Sequence, residues 1–208
     1  MIKIIENIPN IKTYPLKYIF EKMKLQQYKS LWLEFGVASG RTINYISKFS
    51  SNNVFGFDSF QGLPEKWRNG FEKGTFDMNG KFPKVNKNVV LIKGWFNDTL
   101  PNFIQQNIIA TEQKVSFIHI DCDLYSSTKY ILSELRDHLK KDCIIVFDEL
   151  VNYPGFDGDT GELRAFYEFI SENNVKYDWI GMNGVLNGND TYEHQNVAVV
   201  IHSVTKKV

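Results

Sequence analysis

Carboxylates gather where two apolar runs of this chain end. Asp121 follows Phe117-Ile118-His119-Ile120, and Asp148-Glu149 follows Val146-Phe147. If those runs are neighbouring parallel strands, three carboxylates converge at one sheet edge and repel each other unless protonated or bridged by a cation. An all-oxygen donor set favours a hard ion such as Mg²⁺ over zinc. The plainer alternative is a row of solvated strand-end acids. Asp123 is the fallback donor if the strand ends later. His119 lies inside its run and reads as a core histidine rather than a ligand. His138 and His202 carry no signal, and His194, in Tyr192-Glu193-His194-Gln195, is a remote candidate from a closing hairpin.

Two further groups suit a nucleoside-bearing ligand. Glu34-Phe35-Gly36-Val37-Ala38-Ser39-Gly40-Arg41-Thr42 stands where a strand would turn into a helix, and its glycines let the backbone approach a ligand at the helix N-terminus. A dinucleotide fingerprint requires G-x-G-x-x-G, but Ala38 and Arg41 occupy its second and third glycine positions. An acid before the turn would repel a pyrophosphate and suits a ligand carrying an ammonium and a sulfonium. Asp58 ends the next apolar run, roughly 20 residues after Gly36, the separation at which a carboxylate can accept ribose hydroxyls. Trp95 or Phe96, after Leu91-Ile92-Lys93-Gly94, could face an adenine ring, the alternative being that both are core aromatics.

These groups need a scaffold that brings strand ends together. Apolar runs predict strands at 31–35, 54–60, 89–93, 115–121 and 143–147, with closing strands at 177–180 and 196–202. Helices are expected over 13–29, 42–49, 126–141 and 159–172. In the third of these, Ile131, Leu135 and Leu139 share a face and Lys140-Lys141 suit the negative end of the dipole. Asp159 and Glu162 read as the capping pair of the last. Strands alternating with helices imply an α/β fold with a mostly parallel, seven-stranded sheet, helices on both faces and ligands outside the carboxyl ends of the strands.

Residues 61–88 are too long for a plain connection, and Trp67, Phe71, Phe76 and Phe82 would be wasted on a floppy loop, so this segment reads as a lid. A repeat or linker is absent, so 1–208 is expected to form one domain.

Lys+Arg and Asp+Glu both number 24, and no basic stripe exists, which argues against nucleic acid as a partner. No run reaches the roughly 18 apolar residues of a membrane span, and no signal-peptide core is seen, so a cytoplasmic protein without a membrane partner is expected. Cys122 and Cys143 fall at opposite ends of neighbouring strands, too far apart for a disulfide, and should be free thiols.

Four motifs in order resemble the macrocin O-methyltransferase family of class I, Rossmann-like methyltransferases: the glycine turn at 34–42, Phe57-Asp58-Ser59-Phe60-Gln61-Gly62-Leu63-Pro64, Lys93-Gly94-Trp95-Phe96-Asn97-Asp98-Thr99-Leu100-Pro101, and Ile120-Asp121-Cys122-Asp123-Leu124-Tyr125-Ser126-Ser127-Thr128. The strand-end pattern is more distantly similar to catechol O-methyltransferase. The resemblance implies S-adenosylmethionine as cofactor. Glu34, Gly36, Gly40 and Thr42 would line its methionine part, Asp58 would hold the ribose, and Ser59, Trp95 and Phe96 the adenine side. It also implies Asp121, Asp148 and Glu149 as Mg²⁺ ligands. On the charges alone, Asp121 could accept the acceptor's proton, or a metal-bound oxygen could lose it to solvent. Glu149 stands where relatives often have Asp or Asn, which leaves the metal geometry open, and Leu124 stands where catechol O-methyltransferase has a lysine, which leaves the general base open. The expected acceptor is a hydroxyl of a small molecule, a sugar among the candidates, and a homodimer is admitted. A metal-independent methyltransferase, a nicotinamide oxidoreductase and a non-catalytic nucleoside-binding protein are the alternatives.

Overall fold

The computed structural model describes residues 2–25, 30–186 and 194–207. Seven strands form one sheet: β1 (Leu31–Phe35), β2 (Val54–Asp58), β3 (Val89–Lys93), β4 (Val115–Ile120), β5 (Leu139–Phe147), β6 (Asn173–Met182) and β7 (Val197–Lys206), in the order β3-β2-β1-β4-β5-β7-β6. All neighbours are parallel except β7, which runs antiparallel to both β5 and β6. Helices α1 (Ile2–Ile5), α2 (Pro15–Lys17), α3 (Arg41–Ser47), α4 (Phe96–Phe103), α5 (Tyr125–Leu135) and α6 (Gly161–Glu172) accompany it.

Burial explains the strand order. Every residue of β1 and β4 is buried, which suits continuous apolar runs at the centre of a sheet covered on both faces, whereas only Val89 of edge strand β3 is buried. One face packs Phe35, Phe57 and Phe103 under α4, α5 and α6; the other packs Trp32, Phe117 and Phe20 under α3 and a π-helical turn at Tyr18–Lys22.

The chain crosses from β1 outward to β2 and β3, then back to β4 and out the other way to β5. The β1–β4 boundary is therefore a topological switch point, where such sheets open a crevice. Register keeps the strand ends level: Phe35 pairs with Phe57 and Ile120, and Ile120 with Phe147. The ladder continues one residue further, with Gly36 N–H bonding Phe57 O, Asp121 N–H bonding Phe35 O, and Asp148 N–H bonding Ile120 O, at 2.8–3.0 Å. Gly36, Asp58, Asp121 and Asp148 thus emerge along one edge.

Five sequence expectations need correction. The helix expected over 126–141 ends at Leu135, passes through a 3₁₀ turn at Arg136–His138, and Leu139 already pairs with Val115. Leu139 keeps helical spacing from Leu135, but β4 captures it, so Lys140 and Lys141 lie exposed on a strand rather than at a helix end. Asp159 and Glu162 do not cap α6. Thr160 is its N-cap without a side-chain bond, and Asp157 Oδ1 accepts instead from Asp159 N–H and Thr160 Oγ1. The helix expected from residue 13 reaches only Lys22, residues 26–29 lying outside the described part. Strand β2 ends at Asp58, since Phe60 takes a left-handed φ of 55° and turns the chain off the sheet. The closing strands are longer than expected, ten residues each. Both cysteines are free.

Candidate active site

The glycine turn is built by close approach. Gly36 has φ 89°, and a Cβ there would stand 1.7 Å from Asp121 O, so no side chain fits while β1 and β4 end side by side. Gly40, at φ 77°, is the N-cap of α3 and backs onto Pro83 of the 61–88 segment. Asp58 ties the turn together: its Oδ2 accepts from Val37 and Ala38 N–H, both at 2.8 Å, and its Oδ1 accepts from Phe60 N–H at 2.6 Å. A carboxylate offers about four acceptor sites, so Asp58 retains capacity for a ligand hydroxyl after bracing the turn.

These ends open into a cavity of about 1070 Å³. Of the residues proposed from the sequence for the cofactor, Gly36, Thr42, Asp58, Ser59, Trp95 and Phe96 line it. Phe96 also packs edge-on against Phe35, with centroids 5.4 Å apart, so it belongs partly to the core. Glu34 and Gly40 are not in the wall. Glu34 is fully buried beneath the floor, its Oε2 3.3 Å from His119 Nδ1.

Across the cavity stand the acids. Asp121, Asp123 and Glu149 line it, and Asp148 lies just behind. Asp148 Oδ1 accepts from Asn196 Nδ2 at 2.6 Å and from the Tyr14 hydroxyl at 3.1 Å. Glu162, from α6, is fully buried and accepts Glu149 N–H at 3.2 Å. Asp121, Asp148 and His119 each offer a ligand atom within 4.8 Å of the others. His119 is buried as expected of a core histidine, but its neighbours are carboxylates: Nε2 lies 3.6 Å from Asp148 Oδ1, an ion-pair rather than a hydrogen-bond distance.

Electrostatics make this wall unlike the first. Burial, then the Asp148 charge, pushes Asp121 and Glu149 well above the usual carboxylate range, and the same two causes raise Glu162. Asp123 is pushed up to about 7 by burial and Asp148, with the charge of Arg68 opposing. Burial works against a protonated His119, yet Asp148 and Glu34 outweigh it and hold the imidazole well above its ordinary value. Glu149 Oε2 and Glu162 Oε1 are buried without a hydrogen-bond partner. Such orphaned buried oxygens are costly, and a hard divalent cation is the group whose charge and coordination this donor set fits.

Glu162 escaped the sequence reading because its position imitates a capping box. The available signal was its spacing with Phe166 and Phe169, which puts a carboxylate on the buried face of α6. His194 is not in the cavity wall, although Gln195 is, and Tyr192 and Glu193 lie outside the described residues.

The segment expected to form a lid is ordered rather than floppy. Residues 61–88 are knit internally, Leu63 N–H bonding Thr75 O and Gly74 N–H bonding Leu63 O, and Lys93 Nζ anchors Gly80 O at 2.7 Å. Trp67 packs on Tyr153, beyond β5, with centroids 5.9 Å apart, while Phe76 and Phe82 remain about half exposed.

Among solved structures, the O-methyltransferase NovP is similar at 19% identity and TM-score 0.58, covering 84% of this chain and 72% of its own. The calicheamicin methyltransferase CalS11 is similar at 20% identity and TM-score 0.53, covering 82% and 72%. The O-methyltransferase from Bacillus cereus in complex with SAH is similar at 12% and 0.52, covering 95% and 85%. These likenesses establish a class I methyltransferase fold. No curated protein matches the chain at a significant level. No helix of the described residues is long and apolar enough to cross a membrane. Residues 33–150, from β1 through the acids that follow β5, match the family model described as a methyltransferase domain, and the chain belongs to that family.

Proposed function

We propose that the protein is an S-adenosylmethionine-dependent O-methyltransferase of the macrocin type, acting with a divalent cation on a hydroxyl of a small molecule. Family membership supports methyl transfer; the carboxylates of Asp121, Asp123 and Glu149 in the cavity wall, together with the orphaned buried oxygens of Glu149 and Glu162, carry the choice of a hydroxyl and a cation. The nicotinamide alternative has neither the glycine fingerprint nor the family match.

The cofactor supplies an electrophilic methyl on a sulfonium. Asp58 and the turn it braces would receive the ribose and methionine parts, Ser59 and Trp95 the adenine side, while Glu34 acts from below through His119. Asp121, Asp148 and Glu149 would hold the cation, with Asp123 and Glu162 completing the negative wall. A bound Mg²⁺ would lower the pKa of an acceptor hydroxyl. Asp121, exposed to the cavity, is positioned to take the hydroxyl proton, and the level strand ends hold acceptor and cofactor in register, the proximity effect on which such transfers depend. Residues 61–88, stapled through Trp67, would close over both.

Titration calorimetry with S-adenosylmethionine and with NAD should give a saturable isotherm for the first alone. Binding of NAD in its place would reverse the cofactor assignment.

A further inference from the structure

The lid carries a cation that the reaction as proposed does not use. Trp67 N–H bonds Phe71 O and Phe71 N–H bonds Arg68 O, at 3.0 and 2.9 Å, closing a tight turn. The turn lays the Arg68 guanidinium against both rings, Cζ lying 4.3 Å from the Trp67 centroid and 4.0 Å from that of Phe71. Such stacking fixes the plane of the N–H fork and limits its freedom to chase other partners.

Arg68 Nε is buried and has no hydrogen-bond partner, and the side chain enters no ion pair among the described residues. Nearby charges are engaged elsewhere: Lys66 pairs with Glu72 at 2.7 Å, and Glu65 accepts from Ser126 Oγ at 2.6 Å. Arg68 and Asp123 line the same cavity, yet no hydrogen bond or ion pair joins them among the described residues. A guanidinium serving only to neutralise the acids would fold onto Asp123; the two rings hold this one away. Arg68 and Lys73 both line the cavity, opposite in sign to the strand-end wall.

We propose that Arg68, aided by Lys73, reads an oxyanion on the acceptor, so that the acceptor carries a phosphate ester or a carboxylate in addition to its hydroxyl. Resting on the methyltransferase reading, this divides the cavity into two ends of opposite charge. A planar fork suits a phosphate or carboxylate through paired N–H donors. The acids repel the anionic end and the lid attracts it, which turns the hydroxyl toward Asp121.

The test titrates native protein, R68Q and R68K with phenyl phosphate, phenylacetate and benzyl alcohol, with and without S-adenosylhomocysteine, following tryptophan fluorescence and heat. Native protein should bind at least one anion roughly tenfold or more tighter than the alcohol, the worth of a charge-assisted bond. The stronger of the two anions identifies phosphate or carboxylate as the source. R68Q should lose the preference and R68K keep part of it. On native protein, inorganic phosphate should displace phenyl phosphate if that is the tighter probe, and acetate should displace phenylacetate if that is. Equal binding of all three probes, a preference surviving in R68Q, or no displacement would overturn the assignment. Failure of S-adenosylhomocysteine to bind would count against the cofactor reading, while the cofactor-free titrations still decide the anion site.

Discussion

The two walls of the cavity are built from the same device, a carboxylate at a strand end, and differ in how that charge is met. On the β1–β2 side, Asp58 receives three backbone N–H groups at 2.6–2.8 Å and so organises the turn around itself. On the β4–β5 side, Asp121, Asp123, Asp148, Glu149 and Glu162 crowd together with His119 and Asn196 as counterweights, and two buried carboxylate oxygens, on Glu149 and Glu162, stay without partners. Backbone amides are fixed dipoles that come with the fold, whereas mutual repulsion among side chains is relieved by a cation or by protons. The first wall meets its charge with backbone amides; the second keeps its carboxylates close together, the feature on which the proposed cation site rests.

Substitutions that strike one wall and spare the other sharpen this contrast. The largest effect is expected from Gly36→Ala, because its Cβ would overlap Asp121 O and force apart the seam joining both walls. A loss of several kcal/mol, on the order of 4, is expected in urea unfolding, in the range reserved for strained or overpacked sites. A midpoint unchanged from the native protein would mean the strand ends are not held as close as described.

Next is Asp148→Asn, which retains shape and deletes the charge that raises Asp121, Glu149 and Glu162. Mg²⁺ should then raise the melting temperature less than it does for native protein. S-adenosylhomocysteine affinity should stay within about 0.5 kcal/mol, since the sites proposed for the two ligands lie on different walls. Equal losses in both would merge the walls into one unit.

The smallest effect lies away from both. His202, on β7, places Nδ1 2.6 Å from Asp142 of β5 and Nε2 3.0 Å from Asp178 of β6, at the solvent-facing surface. Those bonds, Asp142 first, raise its pKa above the ordinary 6.5. The folded state therefore binds the proton more tightly. Its contribution is full below pH 6.5, where the carboxylates remain ionised, and is lost as pH rises through the folded pKa. Native protein and His202→Gln should differ in urea midpoint near pH 6 and converge in alkali. A gap that widens with pH would reverse the assigned proton linkage, and any change in cofactor affinity would break the independence of this surface clamp.

The legibility of these regions in the sequence follows the same division. Strands β1 and β4 were readable because full burial leaves continuous apolar runs, and their carboxyl ends carried Gly36 and Asp121 at recognisable positions. Leu139 was misread because a four-residue apolar spacing persists across a helix–strand junction, and only pairing with Val115 decides between them. Asp58 was found as a candidate ribose acceptor, but its bracing of Val37 and Ala38 depends on how closely β1 and β2 end together. Glu162 and Arg68 come from outside the strand-end motifs. Spacing with Phe166 and Phe169 puts Glu162 on the buried face of α6, but its approach to Glu149, like the place of Arg68 in the cavity wall, depends on how α6 and residues 61–88 pack.

The central claim is that the acid wall works as a cation-dependent site for methyl transfer to oxygen. Transfer of labelled methyl from S-adenosylmethionine to a panel of sugar and phenolic hydroxyls, some bearing phosphate or carboxylate, tests it in chelator and again after Mg²⁺ is restored. The account predicts transfer to at least one hydroxyl that is lost in chelator and recovered with the metal; transfer undiminished in chelator would contradict it.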